Sequence, residues 1–326
     1  MPLQLNDQLK SHTTDARWSS LVARWAHNPK VGGSNPSRAT KSTTPTTRWA
    51  LSFEGISFMH LATAHNAAQR LTISVDGDIQ VWHAWGTSRS KPPLLLLHGG
   101  SGSWTHWVKN VLPLSETRRV WALDLPGFGD SELPSGAQDV DDLIEPVSKG
   151  IAQLFGEEPV DVAGFSFGGM LAGLIAASYP NRFSTVLILG TPGLGLFDGP
   201  PPHIRGFTPE MSDEQRQAVH RHNLKSFMLH HEDSITEETL LIQSLNVARD
   251  RLKRRRLART YVVVQAQHRW QRPVHFAFGA NDAMYPDRLH RIEPLFSPQR
   301  LSSFTLIPDA GHWTMYERPQ STIEWM

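Results

Sequence analysis

A series of short apolar runs, separated by stretches of helix length, constrains this chain more than any other feature. Residues 93–97 read Pro-Leu-Leu-Leu-Leu, 120–124 Val-Trp-Ala-Leu-Asp and 160–163 Val-Asp-Val-Ala. Residues 186–189 (Val-Leu-Ile-Leu), 274–278 (Val-His-Phe-Ala-Phe) and 304–307 (Phe-Thr-Leu-Ile) complete the series. A strand that is apolar on both faces must be covered on both faces, and the intervening helices supply that cover. The pattern therefore predicts an α/β fold with a mostly parallel sheet. Ahead of it, residues 71–75 and 79–82 are β-rich runs on either side of Asp76-Gly77-Asp78, a hairpin at one sheet edge.

The alternation breaks over residues 197–272. Helical patterns cover 212–229 and 236–257, opened by Ser212-x-x-Gln215, a capping box, and more weakly by Thr236-x-x-Thr239. No buried-strand run lies inside. This segment reads as a helical cap inserted into a core made of residues 59–196 and 273–326.

Residues 1–58 are rich in Ser, Thr, Arg and Trp and show no periodicity; Asp7, Asp15 and Glu54 are their only acids. Such a composition cannot bury a core. Gly33-Ser34-Asn35-Pro36 is what GGT-TCG-AAT-CCN encodes, and it looks like the T-arm of a transfer-RNA gene read as protein. The expectation is a mis-called start ahead of Met59. The alternatives are a disordered tail and an organellar transit peptide.

Lys+Arg 32 against Asp+Glu 31 leaves a net charge of +1, so no global field recruits nucleic acid or an anionic membrane. The chain has no cysteine, which removes disulfides, thiolate nucleophiles and cysteine-ligated metals. No run approaches the length of a transmembrane helix. These features predict no nucleic-acid or membrane partner; a cytoplasmic protein acting on a small molecule is the expectation, although the lack of cysteine does not fix the compartment, since a secreted chain can also lack it.

Gly164-Phe165-Ser166-Phe167-Gly168 follows one apolar run and precedes a strongly helical stretch. That is the strand–turn–helix setting of a nucleophile elbow, in which glycines permit a tight turn and the serine stands alone above a helix N-terminus. A serine needs a base, and His312 lies just past the last strand run. Asp282 lies just past the preceding one and can hold the imidazole in the right tautomer. All three follow strand C-termini and so share one sheet edge. His98, His275, Asp287 and Asp309 are the weaker competitors, the last read as a turn residue. An oxyanion hole needs two N–H groups on one oxygen. Phe167 and Gly100, the latter in the loop His98-Gly99-Gly100-Ser101-Gly102, are the candidates, with Ser101 next.

His98-Gly99-Gly100, Asp124-Leu-Pro-Gly127-Phe-Gly129-Asp-Ser131, the elbow, Gly279-Ala-Asn-Asp282 and Gly311-His312-Trp313 occur in the order seen in the α/β-hydrolase superfamily. The chain resembles that superfamily over residues 71–326. The resemblance implies a cofactor-free Ser-His-Asp hydrolase. Thr191-Pro192-Gly193-Leu194-Gly195, and Gly311-His312-Trp313 followed by Glu317, are most similar to the meta-cleavage carbon–carbon bond hydrolases. Those enzymes usually carry Asn before the nucleophile, where this chain has Phe165. Their substrate-binding cap arginine aligns with Gln243.

Losing a bidentate partner for a carboxylate is not conservative. An ester or lactone is therefore expected as substrate, and a carbon–carbon hydrolase or a non-catalytic ligand-binding protein are the alternatives. Phe165, Gln243, Trp313 and Arg249 are the candidate substrate contacts. The basic run from Arg249 through Arg259 reads as a solvated face of a cap helix; the alternative is a substrate-carboxylate site at the cap mouth, with Arg249 or Arg251 replacing the missing arginine.

Overall fold

The computed structural model describes residues 58–196, 198, 202–252 and 254–326. Expectations for the N-terminal extension up to residue 57 lie outside the described residues. Residues 58–326 form one compact unit.

Its sheet has eight strands. They are β1 (Gln69–Val75), β2 (Asp78–Trp85), β3 (Leu94–Leu97), β4 (Val120–Asp124), β5 (Val160–Phe165), β6 (Phe183–Leu189), β7 (Val274–Gly279) and β8 (Leu301–Ile307). The spatial order is β1-β2-β4-β3-β5-β6-β7-β8. β2 runs antiparallel to both β1 and β4, and every other pairing is parallel. The expected hairpin therefore sits at the sheet edge.

β3 is buried at every residue, as an all-apolar strand requires, and so is β4, including its terminal Asp124. From β3 the chain crosses to β4 on one side and then returns to β5 on the other. That reversal makes the C-terminal end of β3 a switch point, where an open parallel sheet leaves a crevice.

The helices, in chain order, are α1 (Met59–Ala67), α2 (Val111–Ser115), α3 (Ile144–Phe155), α4 (Phe167–Ser178), α5 (Asp213–Asn223), α6 (Glu237–Ala248), α7 (Val262–Ala266), α8 (Thr314–Glu317) and α9 (Pro319–Trp325). α4 is buried from Phe167 through Ala177. Gly173 lets Trp270 and Val263 approach it, and Trp270 Nε1 donates to Gly173 O at 2.9 Å. α7 thus belongs to the layer on α4. α1 was not foreseen from its sequence. It buries Leu61 and Ala64, and Ala64 O accepts from Trp85 Nε1 at 2.7 Å.

Both capping boxes form: Ser212 with Gln215 at α5, and Thr236 with Thr239 at α6. α5 continues as a π-helical turn, Leu224–Met228. α6 stops at Ala248, whereas the periodicity predicted helix to residue 257. Contacts to the core interrupt it. Arg251 N–H donates to Gly127 O at 2.8 Å, Leu252 is buried, and Asp139 Oδ2 accepts from the N–H groups of Arg256 (2.7 Å) and Leu257 (3.1 Å). Tertiary hydrogen bonds win here over good helix formers.

Candidate active site

β5 and α4 meet at Ser166. Its φ of 50° and ψ of −115° lie outside the regions that L-residues prefer. Neighbouring glycines make that turn possible. A Cβ on Gly164 would come within 2.4 Å of Gly168 O, and one on Gly168 within 2.5 Å of Leu97 O and His98 O. The turn is held by Ser166 N–H, which donates to Leu189 O at 2.7 Å. Ser166 thus stands at the head of α4, and Phe167 opens that helix. Its N–H belongs to the first turn, which has no intrahelical acceptor. The helix dipole favours negative charge at that end.

β7 and β8 deliver the other two groups. His312 Nε2 lies 3.0 Å from Ser166 Oγ, and His312 Nδ1 lies 2.9 Å from Asp282 Oδ2. Asp282 Oδ1 accepts Met284 N–H at 2.9 Å, which orients the carboxylate. Asp282 and His312 are both buried. With Asp282 accepting at Nδ1–H, Nε2 is left as the acceptor for the serine proton, a tautomer inferred from the network.

The competing residues fall elsewhere. Asp287 is exposed in a turn, His275 bonds Ser303 Oγ across to β8 at 2.8 Å, and Asp309 is a turn residue paired with His231 and Arg318. His98 uses both ring nitrogens on backbone. Leu125 N–H donates to its Nε2 at 2.9 Å, so its Nδ1–H donates to Gly99 O at 2.7 Å. Burial lowers its pKa to about 4, although Asp124 pulls the other way. His98 is a neutral brace for the glycine loop.

That loop lies against Ser166: a Cβ on Gly99 would come within 3.3 Å of Ser166 Cβ and 2.8 Å of Phe165. Gly100 follows it. Ser101 has a φ of 50° and is one of five non-glycine residues with positive φ among the described residues. Three of those five are turn aspartates, and the fifth is Ser166.

The candidate substrate contacts divide. Phe165 is buried, with its ring 5.0 Å from that of His312. Trp313 is buried too, and its Nε1 donates to His106 O at 2.8 Å, so its polar atom is already used. Gln243 is half-buried on α6, between Thr239 and Asn246 on the same helix face. Thr239 bonds Tyr316 Oη at 2.7 Å and Asn246 bonds Ser103 Oγ at 2.7 Å, so that face meets the core.

Arg249 and Arg251 do not take the place of the missing arginine. Arg249 donates to Asp130 Oδ1 at 3.0 Å, and Arg251 donates to the carbonyls of Phe128, Gly129 and Ser131. Because α6 ends at Ala248, Arg249 and Arg251 lie along the loop after β4 and not on a helix face.

Several residues that matter to the site were given no role from the sequence: Glu317 enters there only as part of a motif, and Phe227 reads as core or pocket lining. Phe227, from the π-turn of the insert, stacks on His312 at 4.7 Å between centroids and 24° between planes. A side chain on Gly190 (φ 57°) would come within 3.2 Å of His312 and 3.4 Å of Asp282, so that position makes room for the pair. Glu317 accepts three backbone N–H groups, from His230 (3.0 Å), His231 (2.8 Å) and Gly311 (2.7 Å). It thereby ties the insert to the loop that carries His312. The fully buried His106 accepts Gly99 N–H at Nδ1 (3.2 Å), and burial holds its pKa well below the usual histidine range. The spacing Gly311-His312…Glu317 could have pointed to Glu317. Nothing local marks Phe227 or Gly190.

Comparison with known proteins agrees with this architecture. The chain is 34% identical to 2-hydroxymuconate semialdehyde hydrolase of Pseudomonas sp. (strain CF600) over 107 residues, 32% of this chain and 38% of that protein. It is 32% identical to epoxide hydrolase 4 of Mus musculus over 124 residues, 37% of this chain and 34% of that one. These matches span little more than a third of each relative. Naproxen esterase (carboxylesterase NP) of Bacillus subtilis shares the fold, with a TM-score of 0.61 at 19% identity over 82% of this chain and 95% of that one. Among the described residues no helix is long and apolar enough to cross a membrane. The model of the alpha/beta hydrolase family matches residues 94–325, a span that holds the elbow, Asp282 and His312, and the chain belongs to that family.

Proposed function

We propose that this protein is a serine hydrolase that cleaves a carboxylic ester or lactone through an acyl-enzyme. The observation that carries the reading is His312 bridging Ser166 at 3.0 Å and Asp282 at 2.9 Å. Ser166 Oγ attacks the carbonyl carbon while His312 Nε2 takes its proton. The N–H groups of Phe167 and Gly100 hold the oxyanion. His312 returns the proton to the leaving oxygen, and water then clears the acyl group by the reverse use of the same base. Asp282 stabilises the imidazolium in both steps. The insert between β6 and β7, apart from α7 and Trp270, which pack on α4, acts as a cap over this site.

Ester chemistry fits the apolar wall. Phe165 presents no polar group to a dienoate, and Gln243 offers no charge to its carboxylate. An uncompensated carboxylate buried there would cost several kcal/mol of desolvation. A second reading, carbon–carbon cleavage, is favoured by the likeness to the Pseudomonas 2-hydroxymuconate semialdehyde hydrolase.

Two measurements decide. Fluorophosphonate should label the wild type and not Ser166→Ala; a chain that never labels is a ligand-binding protein on this fold. The ratio of kcat/KM for a butyrate ester against a 2-hydroxy-6-oxo-dienoate should favour the ester, and Gln243→Arg should shift it toward the dienoate. A wild-type preference for the dienoate above about 100-fold, roughly 2.7 kcal/mol, replaces this reading by the second.

A further inference from the structure

We infer that Asp250 of the insert is a positioning residue that holds the oxyanion-side loop in its working conformation through Ser101. The inference rests on the reading of Ser166 as nucleophile and Gly100 as an oxyanion donor.

Ser101 follows Gly100 and sits at φ 50°, a conformation that glycine adopts freely and serine does not. A glycine would be the cheaper choice there. What serine adds is its hydroxyl, and that hydroxyl is committed: Ser101 Oγ donates to Asp250 Oδ2 at 2.6 Å. The same carboxylate oxygen accepts Arg255 Nη2 at 2.5 Å, and Arg255 Nη1 lies 3.4 Å from Ser101 Oγ. Arg255 also lies over the loop itself, since a Cβ on Gly100 would come within 3.2 Å of its Nε.

Two further threads tie the same loop to the insert. Asn246 Oδ1 accepts Ser103 Oγ at 2.7 Å, and Asn246 Nδ2 donates to Thr105 Oγ1 at 3.0 Å. Backbone strain next to a reacting centre persists only where surrounding contacts over-determine it. The two serines with positive φ are the nucleophile and this one. β5 and α4 hold the first, whereas residues of the insert hold the second. The insert therefore does more than cover the site: it fixes the peptide that follows Gly100, while His98 Nδ1–H holds the carbonyl of the peptide that precedes it. The Gly100 N–H belongs to that preceding peptide, so the insert steadies it from one side and the core from the other.

The test separates positioning from stability. Ser101→Gly removes the hydroxyl and relieves the strain together. It should leave the melting temperature unchanged or higher while kcat on a p-nitrophenyl ester falls at least tenfold and KM stays within about threefold. Asp250→Ala should show the same split, and Asp250→Asn, which keeps an acceptor, should recover part of the loss. The double variant Ser101→Gly/Asp250→Ala should be no slower than the slower single one, because both break one link. Affinity for a trifluoromethyl ketone, which forms an oxyanion on Ser166, should fall in parallel with kcat.

Wild-type kcat and ketone affinity in Ser101→Gly would overturn the proposal, as would losses that multiply in the double variant. If the wild type labels with fluorophosphonate and Ser101→Gly labels at the same rate, positioning fails and the nucleophile stands. If the wild type neither labels nor hydrolyses, the nucleophile fails and takes this proposal with it.

Discussion

The loops at the ends of β5, β7 and β8 and the insert between β6 and β7 meet at one site but are built by different rules. Ser166, Asp282 and His312 hang from sheet strands whose register is set by ladder hydrogen bonds. Each lies within a few residues of a strand end, so its position follows from local sequence. The insert reaches the site through Phe227 on His312 and through its ties to Glu317 and Ser101. Those contacts are long-range and come from a π-turn, a helix end and an extended basic segment. On the proposed reading, the reacting groups hang from strand ends, whereas the shaping contacts come from a segment outside the sheet.

The first way to break this comparison is to remove the chemistry. Ser166→Ala should lower kcat on the order of 10⁶-fold, by analogy with the loss of the nucleophile in subtilisin. Asp282→Asn should cost on the order of 10⁴-fold, the analogous value for the trypsin aspartate. If Asp287→Asn costs more than Asp282→Asn, the acid is misassigned. Phe227→Ala in the insert should change KM and selectivity more than it changes the chemical step, and a loss of kcat comparable to that of Asp282→Asn would erase the distinction.

Acid challenges both regions at once. Burial lowers the pKa of His98 in the core loop to about 4, with Asp124 opposing, and burial with Arg216 lowers His220 on α5 to about 4. Both are held neutral in the fold and charge more easily in the unfolded chain. Their contribution is therefore complete above the unfolded value near 6.5 and is lost as pH falls toward 4. For the fully buried His98 this amounts to up to roughly 3 kcal/mol across that window, and to less for His220, which solvent partly screens. The melting temperature should fall between pH 6.5 and 4, less steeply in His98→Asn and in His220→Asn. A curve flat over that window in the wild type would refute it.

Glu317→Ala should sharpen the comparison, because it leaves three N–H groups without their acceptor, two in the insert and one beside His312. A loss of about 2–3 kcal/mol is expected, with kcat reduced as the His312 loop loosens. Thermal melts should show it; an unchanged melting temperature would mean that water replaces the carboxylate without cost. The smallest effect is Gly190→Ala. A side chain at φ 57° costs on the order of 1–2 kcal/mol, and the new Cβ presses on the His312–Asp282 pair. Differential scanning calorimetry and kcat should both decline, and an unchanged rate would show that the pair has room to shift.

Much of the fold was readable because apolar strands and a nucleophile elbow are local patterns with few alternatives. The six core runs became β3 to β8, and both capping boxes formed where Ser212 and Thr236 stand. The end of α6 was misread because Arg, Lys and Leu are good helix formers, and nothing local shows that Asp139 and Gly127 will capture their backbone. α1 went unread because only two of its nine residues are buried, too few to give a periodic signal.

By itself the sequence determined the order of the strands, the turn at Ser166, and which histidine and aspartate follow the last two strands. These depend on residues close together in the chain, where propensity, sterics and hydrophobic period act directly. Only the tertiary structure decided that Arg249 and Arg251 serve the loop after β4, that Phe227 lies on His312, that Gly190 must lack a side chain, and that Asp250 reaches Ser101. Each of these joins residues tens of positions or more apart in the chain. Such contacts exist only once the sheet has set the distances between loops, and no local preference encodes them.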